Sequence, residues 1–346
     1  MTELVGLTLE ELEAWAAGLG EPRYRGRQLA RWIYQRRAGR FAEMSDLPLA
    51  LRERLESKAT LSRLRVVARA DASNDLTTKV LLELHDHRTI ETVLMRYDDG
   101  RRTVCVSTQV GCGMGCTFCA TGLAGLTRNL SAGEIVDQVL VIAGESGERP
   151  THVVFMGMGE PLANFAATLR AVRLLNASYG PRIGMRNLTI STVGLVPQIR
   201  MLAQERLQLT LAVSLHAPTD DLRSQLVPIN ARWPLADLLA ATRDYAAITG
   251  RRVTFEYVLM AGVNDRDEQA RRLAALLAGA GAHVNVIPWN PVYGMQYRRP
   301  PAAAVHRFVG LLRAAGLAAT VRIDRGVDID AACGQLQRTN AAGVHV

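Results

Sequence analysis

Strand-like and helix-like segments alternate along most of this chain, and the alternation constrains the fold more than any other feature. Strand-like runs begin at Val153, Leu188, Leu209, Val253, Val284 and Thr320. Helix-like stretches accompany them over residues 132–142, 165–177, 197–204, 235–248, 266–280 and 302–315. Repeated β-α units imply a parallel sheet with right-handed crossovers. About six units are too few for a closed eightfold barrel, so we predict an α/β fold, a partial (βα)6 TIM-like barrel with its chemistry at the carboxyl ends of the strands.

The chain before these units divides into two parts. Residues 1–60 carry apolar residues at helical spacing and predict a small helical accessory domain. Residues 61–100 contain alternating runs that predict a β-rich extension of the core. We therefore expect the barrel to span residues 101–325, followed by a C-terminal tail over residues 326–346.

Charge and composition narrow the class of protein. The 346 residues carry a net charge of +8, and only Lys58 and Lys79 of the 41 basic residues are lysines. A basic protein favours a polyanionic partner. The sequence has neither an apolar run long enough to span a membrane nor a secretory signal, and four of its five cysteines fall within residues 105–119. We expect a cytoplasmic protein with reduced thiols and, because no heptad pattern is sustained, a monomer.

Arginines and aromatic residues are interleaved near the N-terminus. The arginines are Arg23, Arg25, Arg27, Arg31, Arg36, Arg37 and Arg40, and the aromatic residues are Tyr24, Trp32 and Tyr34. This combination suits nucleic acid, through phosphate contacts and base stacking. It equally suits a solvated helix face above a Trp–Tyr core stripe, and the sequence leaves both interpretations open.

Three cysteines, Cys112, Cys116 and Cys119, follow the spacing C-x3-C-x2-C. Three thiolates on one loop can hold three irons of a 4Fe-4S cluster and leave the fourth iron open. An open iron can bind S-adenosylmethionine (SAM) and deliver one electron to it, which generates a 5′-deoxyadenosyl radical. Structural zinc prefers four ligands in two separated pairs, so zinc with a distant fourth ligand such as Cys105 is the less favoured alternative.

Small and polar residues occur where the predicted strands end. Glycines beside Glu160 allow close approach of a ligand to the backbone, and the Glu160 carboxylate could pair with the α-amino group of SAM. Ser191, Ser214 and Asn290 end later strands, where ribose, carboxylate and adenine edges would be met. A lone histidine such as His216 is usually a satisfied core residue, but its position at a strand end favours ligand contact.

Two further cysteines lie outside the C-x3-C-x2-C motif. Cys333 sits between alanines and a glycine, and Cys105 lies on the strand before the cysteine loop. An isolated cysteine is usually a buried structural thiol. Two such cysteines near a radical site instead suggest thiol chemistry.

Several of these motifs, in one order, resemble the RlmN/Cfr family of radical SAM RNA methyltransferases over residues 8 to 338. They are Cys105-Val-Ser-Thr-Gln-Val-Gly-Cys112, the cluster loop, Phe155-Met-Gly-Met-Gly-Glu-Pro-Leu, Ser214-Leu-His-Ala, Ile287-Pro-Trp-Asn and Asp328-Ile-Asp-Ala-Ala-Cys-Gly-Gln-Leu. The resemblance implies methylation of C2 of adenine 2503 in 23S rRNA and of adenine 37 in tRNA. It also implies a helical N-terminal domain that binds RNA and an electron donor such as flavodoxin or ferredoxin.

The resemblance assigns roles to particular residues. The cluster would be held by Cys112, Cys116 and Cys119. The SAM contacts would be Gly159, Glu160, Ser191, Ser214, Leu215, His216 and Asn290. Cys333 would become S-methylated, Cys105 would resolve a covalent RNA–protein adduct by forming a disulfide with it, and Glu91 would accept the ring proton. Two SAM molecules would be consumed in each turnover.

Three alternatives remain open at this stage. Methylation of adenine C8, as by Cfr, would use the same thiols, although Pro161 favours the C2 enzymes. A different radical enzyme, such as a glycyl-radical activase, would leave Cys105 and Cys333 with structural roles only. A non-catalytic RNA-binding protein with a structural metal centre would make no 5′-deoxyadenosine.

Overall fold

The first sixty residues form a small helical unit in the computed structural model, which describes residues 1–61, 64–322 and 325–336. Strand β1 (Thr2–Glu3) is followed by helices α1 (Leu9–Gly18) and α2 (Tyr24–Ala30), and α2 continues into a π-helical turn, Arg31–Gln35. After a 3-10 turn, Phe41–Glu43, helix α3 (Leu49–Lys58) leads into β2 (Ala59–Thr60), which pairs in parallel with β1. This pairing brings the two ends of the unit together.

The aromatic residues of the arginine-rich segment belong mainly to the core of this unit. Trp32 and Tyr34 are buried, and only Tyr24, at 44% exposure, is open to solvent. The Trp32 indole donates to Asp46, and the Tyr34 hydroxyl donates to the Leu7 carbonyl. Of the two interpretations left open, the core stripe is therefore correct for Trp32 and Tyr34.

Acidic residues neutralise much of the same segment. Glu13 pairs with Arg23 and Arg27, and Glu21 lies within ion-pair distance of Arg25 and Arg54. Exposed pairs of this kind contribute little to stability. Their effect is to reduce the positive potential that this face offers to a polyanion.

A four-stranded antiparallel meander precedes the cysteine loop. Its strands are β3 (Arg65–Asp71), β4 (Thr77–Glu83), β5 (Thr89–Arg96) and β6 (Arg102–Cys105). The chain then forms a short ribbon of β7 (Gln109–Gly111) and β8 (Leu126–Asn129), with helix α4 (Ala120–Leu123) between them. The cysteine loop lies inside this ribbon.

The rest of the chain adds parallel strands to β6. In order, the elements are α5 (Ala132–Ser146), β9 (His152–Phe155), α6 (Phe165–Asn176), β10 (Leu188–Thr192), α7 (Val196–Gln204), β11 (Thr210–Ser214), α8 (Asp220–Leu226), α9 (Leu235–Thr249), β12 (Thr254–Leu259), α10 (Asp267–Leu276), β13 (His283–Pro288), α11 (Ala302–Ala314) and β14 (Ala318–Val321). Short 3-10 turns lie at Met185–Asn187, Pro228–Ala231 and Val327–Ile329.

Ten strands form one continuous sheet in the order β14-β13-β12-β11-β10-β9-β6-β5-β4-β3. Strands β6 and β9 to β14 run parallel, and among the described residues β14 and β3 are left as the edges of the sheet. The predicted α/β fold, with a central parallel sheet of about six β-α units and a helical N-terminal region, is confirmed. The parallel order brings the carboxyl ends of seven strands to one rim.

Helix starts are fixed by local chemistry. Ser131 and Glu134 form a reciprocal capping box at the start of α5, as Thr8 and Glu11 do at α1. The apolar faces of the helices and most buried strand residues form one large core, and a smaller cluster around Phe118, Val258 and Trp289 packs beside the cysteine loop. None of the helices formed by the described residues combines the length and the hydropathy needed to cross a lipid bilayer.

Candidate active site

A deep cleft opens at the carboxyl ends of the parallel strands. It encloses about 1010 Å³ of empty space, part of it continuous with solvent. Ten of the predicted site residues line it: Cys112, Cys116, Cys119, Gly159, Glu160, Ser191, Ser214, His216, Asn290 and Cys333. Residues up to 221 positions apart in the sequence therefore meet at one site.

Glycines allow the cysteine loop to fold back on itself. Gly111 has φ +77°, and a Cβ there would lie 1.9 Å from the Gly125 carbonyl oxygen. The Cys112 amide donates to that same oxygen at 2.9 Å, and the Cys119 amide donates to the Cys116 carbonyl at 3.3 Å. The result is a tight loop whose three cysteines all line the cleft.

Two of the thiols, those of Cys112 and Cys116, are poor acids as long as no cation balances them. Burial raises the pKa of Cys112 to about 12 and raises that of Cys116 well above its usual range. A metal centre offsets this cost because it binds the thiolate directly.

The arrangement of the ligands fits a cluster better than a single ion. Within residues 1–61, 64–322 and 325–336, no three His, Cys, Asp or Glu side chains are close enough together to hold one metal ion. Cys105, the fourth ligand of the zinc alternative, lies on a different cavity. Three thiolates that bind three separate irons do not need to converge on one point, so the loop fits an iron–sulfur cluster.

His216 packs against the cysteine loop. Its ring meets that of Phe118 edge to face, with 4.7 Å between centroids. Its Nδ1 accepts from the Val258 amide at 3.0 Å, so a neutral ring carries its proton on Nε2. Burial lowers the pKa of His216 to about 3. His216 is therefore a satisfied buried histidine that also lines the cleft, and its contact with a ligand stays a prediction.

Glu160 is a buried acid that faces the cleft. Its Oε1 accepts from the Leu162 amide at 2.9 Å, and its Oε2 accepts from the Val193 amide at 2.8 Å. Burial raises its pKa to about 7 despite these bonds. Gly159 has φ +103°, and a Cβ there would lie 2.6 Å from Gln109 Cβ, so only glycine brings Glu160 into this position. A buried carboxylate of this kind suits a ligand that brings its own cation.

A second cavity of about 510 Å³ adjoins the cleft. Cys105, Met95, Tyr97 and Arg325 line it. Six residues line both cavities, and Cys333 and Arg322 are among them. Burial raises the pKa of Cys105 to about 12, the nearby Cys333 adds to this rise, and the Arg322 guanidinium opposes it. Cys333 thus lies on the wall shared by the cleft and the cavity that holds Cys105.

The loop of residues 325–336, hereafter the C-terminal loop, holds Cys333 in place. The Asn290 side-chain amide donates to the Cys333 carbonyl at 3.3 Å, and the Ala120 amide donates to the Gly334 carbonyl at 2.9 Å. Gln335 donates to the Pro291 carbonyl at 2.9 Å. The loop is thus tied both to the cysteine loop and to the end of β13. Residues 337–346 of the predicted tail lie outside the described residues.

Two predicted residues lie on neither cavity. The Leu215 side chain is fully buried, and its backbone amide and carbonyl bond Glu256 and Arg223. Any contact of Leu215 with a ligand is therefore restricted to its backbone. Glu91 is 3% exposed, and its Oε1 lies 2.9 Å from Lys79 Nζ.

Comparison with known proteins identifies the chain. Residues 2–61 match the family described as ribosomal RNA large subunit methyltransferase N-terminal domain, and residues 106–274 match the radical SAM superfamily. The probable dual-specificity RNA methyltransferase RlmN of Moorella thermoacetica is 54% identical over 342 residues, which cover 97% of each chain. That of Gloeobacter violaceus is 50% identical over 342 residues, which cover 99% of this chain and 97% of the relative. The chain belongs to the RlmN family.

A solved structure agrees with this assignment. A radical SAM methyltransferase from Sphaerobacter thermophilus matches with a TM-score of 0.94 and 52% identity, covering 97% of this chain and 99% of that chain. Membership of the RlmN family makes this chain a radical SAM methyltransferase, with a 4Fe-4S cluster and SAM as its cofactors. The cysteine loop lines the cleft with three thiols and Glu160 lines it with a buried acid, and their roles towards the cluster and the cationic donor stay predictions.

Two cations of this RlmN-family site were missed by the sequence reasoning. Arg223 is fully buried on α8 and donates to the carbonyls of Val193, Ser214 and Leu215 and to Asn230. It ties together the ends of β10 and β11, where the predicted SAM contacts lie. Arg322 directly follows β14. The surplus of arginines in the sequence concealed both residues.

Proposed function

We propose that this chain methylates C2 of adenine, in adenine 2503 of 23S rRNA and adenine 37 of tRNA. The observation that carries the proposal is the position of Cys333 between the cleft with three thiols and the cavity with Cys105. A methyl group carried by Cys333 would face the radical chemistry on one side and a second thiol on the other. The curated relatives are named dual-specificity RNA methyltransferases.

The first step loads Cys333. Its thiolate attacks the methyl carbon of SAM, an S–C bond forms as the sulfonium C–S bond breaks, and S-adenosylhomocysteine leaves. The Arg322 guanidinium, which lines both cavities, favours the thiolate. Glu160 would hold the donor by its α-ammonium group, and Ser191, Ser214, His216 and Asn290 would contact the rest of it. Backbone atoms of Gly159 and Leu215 complete this proposed set.

The second step uses the cluster. When bound, the cluster and a second SAM supply the one-electron chemistry that makes the S-methyl group reactive towards an adenine ring carbon. Glu91 then accepts the ring proton. Cys105 attacks the Cys333 sulfur, and an S–S bond forms as the bond from sulfur to the new carbon breaks. The electron pair leaves with that carbon, which takes a proton and becomes the methyl group.

The remaining expectations follow from this scheme. The two thiols lose two electrons in the disulfide, so an external reductant must restore them. A separate electron donor such as flavodoxin or ferredoxin would supply the cluster. RNA would offer the adenine from an unstacked loop.

We assign RNA binding to residues 1–60, the β-rich extension to 61–100, the barrel to 101–325 and the methyl-carrying tail to 326–346. A cytoplasmic monomer fits these roles.

The test is anaerobic reconstitution with RNA, followed by mass spectrometry of the nucleosides. We expect 2-methyladenosine, and 8-methyladenosine would instead assign C8 chemistry. Cys333→Ala should abolish both protein methylation and product, whereas Cys105→Ala should trap RNA covalently bound to protein. Product formed by Cys333→Ala at the wild-type rate would overturn the proposal, and so would the absence of 5′-deoxyadenosine from wild-type protein.

A further inference from the structure

Lysine is almost absent from this chain, which makes the position of Lys79 informative. Of the 41 basic residues only Lys58 and Lys79 are lysines. Lys58 ends α3 and is exposed, whereas the side chain of Lys79 is only 14% exposed, on β4. Arginine occupies nearly every other basic position of this chain, but position 79 is a lysine. An ammonium is compact with tetrahedral donors, and a guanidinium is a wide planar fork, so the two are not interchangeable in a confined position.

The ammonium of Lys79 makes two contacts that cross between elements. Nζ lies 2.9 Å from Glu91 Oε1 on β5 and donates to the Asp330 carbonyl at 3.2 Å. Asp330 belongs to the C-terminal loop, three residues before Cys333. A single cation therefore joins the proposed proton acceptor to the loop that carries the proposed methyl acceptor.

The register of the sheet places the reacting groups on one face. Val93 on β5 is paired with Lys79 on β4 and with Cys105 on β6. Directly paired residues point to the same side of a sheet, and so does Glu91, two positions from Val93. Lys79, Glu91 and Cys105 therefore share the face that the C-terminal loop covers.

We propose that Lys79 is a positioning residue for the methyl transfer, which keeps the Glu91 carboxylate ionised and holds the Cys333 loop in register above it. The inference rests on the proposed function. A carboxylate that is 3% exposed is costly to ionise alone, and a cation at 2.9 Å offsets that cost. Loss of the cation shifts the balance towards the protonated carboxyl, which cannot accept the ring proton.

Other ionisable groups surround this pair. The C-terminal loop contributes the Asp330 carboxylate, which accepts from Gln335 at 3.3 Å, and the Cys333 thiol. Strand β6 contributes Cys105, and the neighbouring cavity contributes Arg322 and Arg325. Because all of these groups are retained when Lys79 alone is changed, a shift in the pH dependence would report on the Lys79–Glu91 pair.

The test compares Lys79→Met and Lys79→Arg with the wild type, with Arg272→Met, which removes an exposed ion pair with Glu268 on α10, as the matched control. Each full-length protein is reconstituted anaerobically and Cys333 is S-methylated first. Formation of methylated adenine is then followed in a single turnover across pH. In Lys79→Met we expect the acid limb of the rate profile to move up by about 1–3 pH units, with a loss of about tenfold or more near neutral pH. Lys79→Arg should restore the acid limb but not the full rate, and Arg272→Met should match the wild type.

A double variant tests whether the effect of Lys79 is exerted on Glu91. If Lys79 acts through Glu91, Lys79→Met should cause no further pH shift in a Glu91→Gln background. An acid limb in Lys79→Met that superimposes on that of the wild type would overturn the inference, and so would full rescue of both rate and profile by arginine. Should Lys79→Met fail to fold, the Lys79→Arg profile and rate still decide. A wild-type protein that makes no methylated adenine would refute the proposed function itself. That outcome is distinguishable from a failure of the Lys79 inference, in which the wild type is active.

Discussion

The buried carboxylate of Glu160 allows a quantitative test of the electrostatics in the cleft. Burial raises its pKa from the ordinary value near 4.5 to about 7. Between these two values the folded protein holds a proton that the unfolded chain has released. The free energy of unfolding therefore falls as the pH rises through this window, because the folded state binds more protons than the unfolded state. The stabilisation is complete at pH values below 4.5 and is lost above 7.

The size of the effect follows from the shift, which corresponds to about 3 kcal/mol. Glutamine has the shape of the protonated acid, with one acceptor and one donor group, and it does not titrate. Glu160→Gln should therefore lack this pH dependence. Between about pH 5 and pH 8, the stability of the variant relative to the wild type should rise by about 3 kcal/mol.

Urea unfolding of the metal-free, reduced proteins at the two pH values measures this difference. His216 titrates with the opposite sign, since its pKa is lowered to about 3 and its contribution is lost as the pH falls below that of a free histidine. Both proteins contain His216, so its contribution cancels in the comparison. If the gap between the two proteins were the same at both pH values, the buried carboxylate would not carry the cost assigned to it.

The same substitution tests ligand binding. A charged hydrogen bond is worth about 1.5–3 kcal/mol, so Glu160→Gln should weaken SAM binding by roughly tenfold to a hundredfold. Equilibrium dialysis of the reconstituted proteins checks this value. Unchanged affinity would mean that the α-ammonium of the donor lies elsewhere.

Two further substitutions test the supports of the site. Arg223→Met removes a guanidinium that bonds three backbone carbonyls and should destabilise the protein by about 3–5 kcal/mol, measured by urea unfolding, with SAM binding weakened as well. Gly326→Ala places a Cβ 2.7 Å from Thr77 Cγ2 at φ +67°, which should cost about 1–3 kcal/mol and lift the C-terminal loop. S-methylation of Cys333, measured by mass spectrometry, should then fall while SAM affinity is kept.

Periodicity in the sequence predicted most of the elements of the core. Runs rich in apolar and β-branched residues mark β4 and β5, which the structure buries on both faces of the sheet. The helical stretch expected to start at Ala132 does start there because Ser131 caps it. These signals are local, and local chemistry decides them. The rim of the sheet was predictable for the same reason, since parallel strands bring polar residues after each strand to one edge.

What the sequence did not reveal depends on contacts distant along the chain. Helix α8 is only seven residues long and has no capping box, so its pattern resembles a loop. This helix carries Arg223. The π-helical turn at Arg31–Gln35 was also unexpected, because the pattern of apolar residues does not distinguish it from a continuing α-helix.

Two buried cations, Arg223 and Lys79, could not be assigned from the sequence, and the reason lies in the groups that they bind. Arg223 bonds backbone carbonyls at the ends of β10 and β11, and Lys79 bonds the Asp330 carbonyl as well as Glu91. A carbonyl is present at every residue, so Arg223 requires no matching acidic residue in the sequence, and the acidic partner of Lys79, Glu91, lies on a different strand. Acidic partners reveal the surface pairs of the N-terminal unit, whereas burial alone distinguishes these two. The sequence still offers one indication for Lys79, because this position is a lysine in a chain whose basic residues are nearly all arginines. Such an exception to the composition is where a confined ammonium group is to be expected.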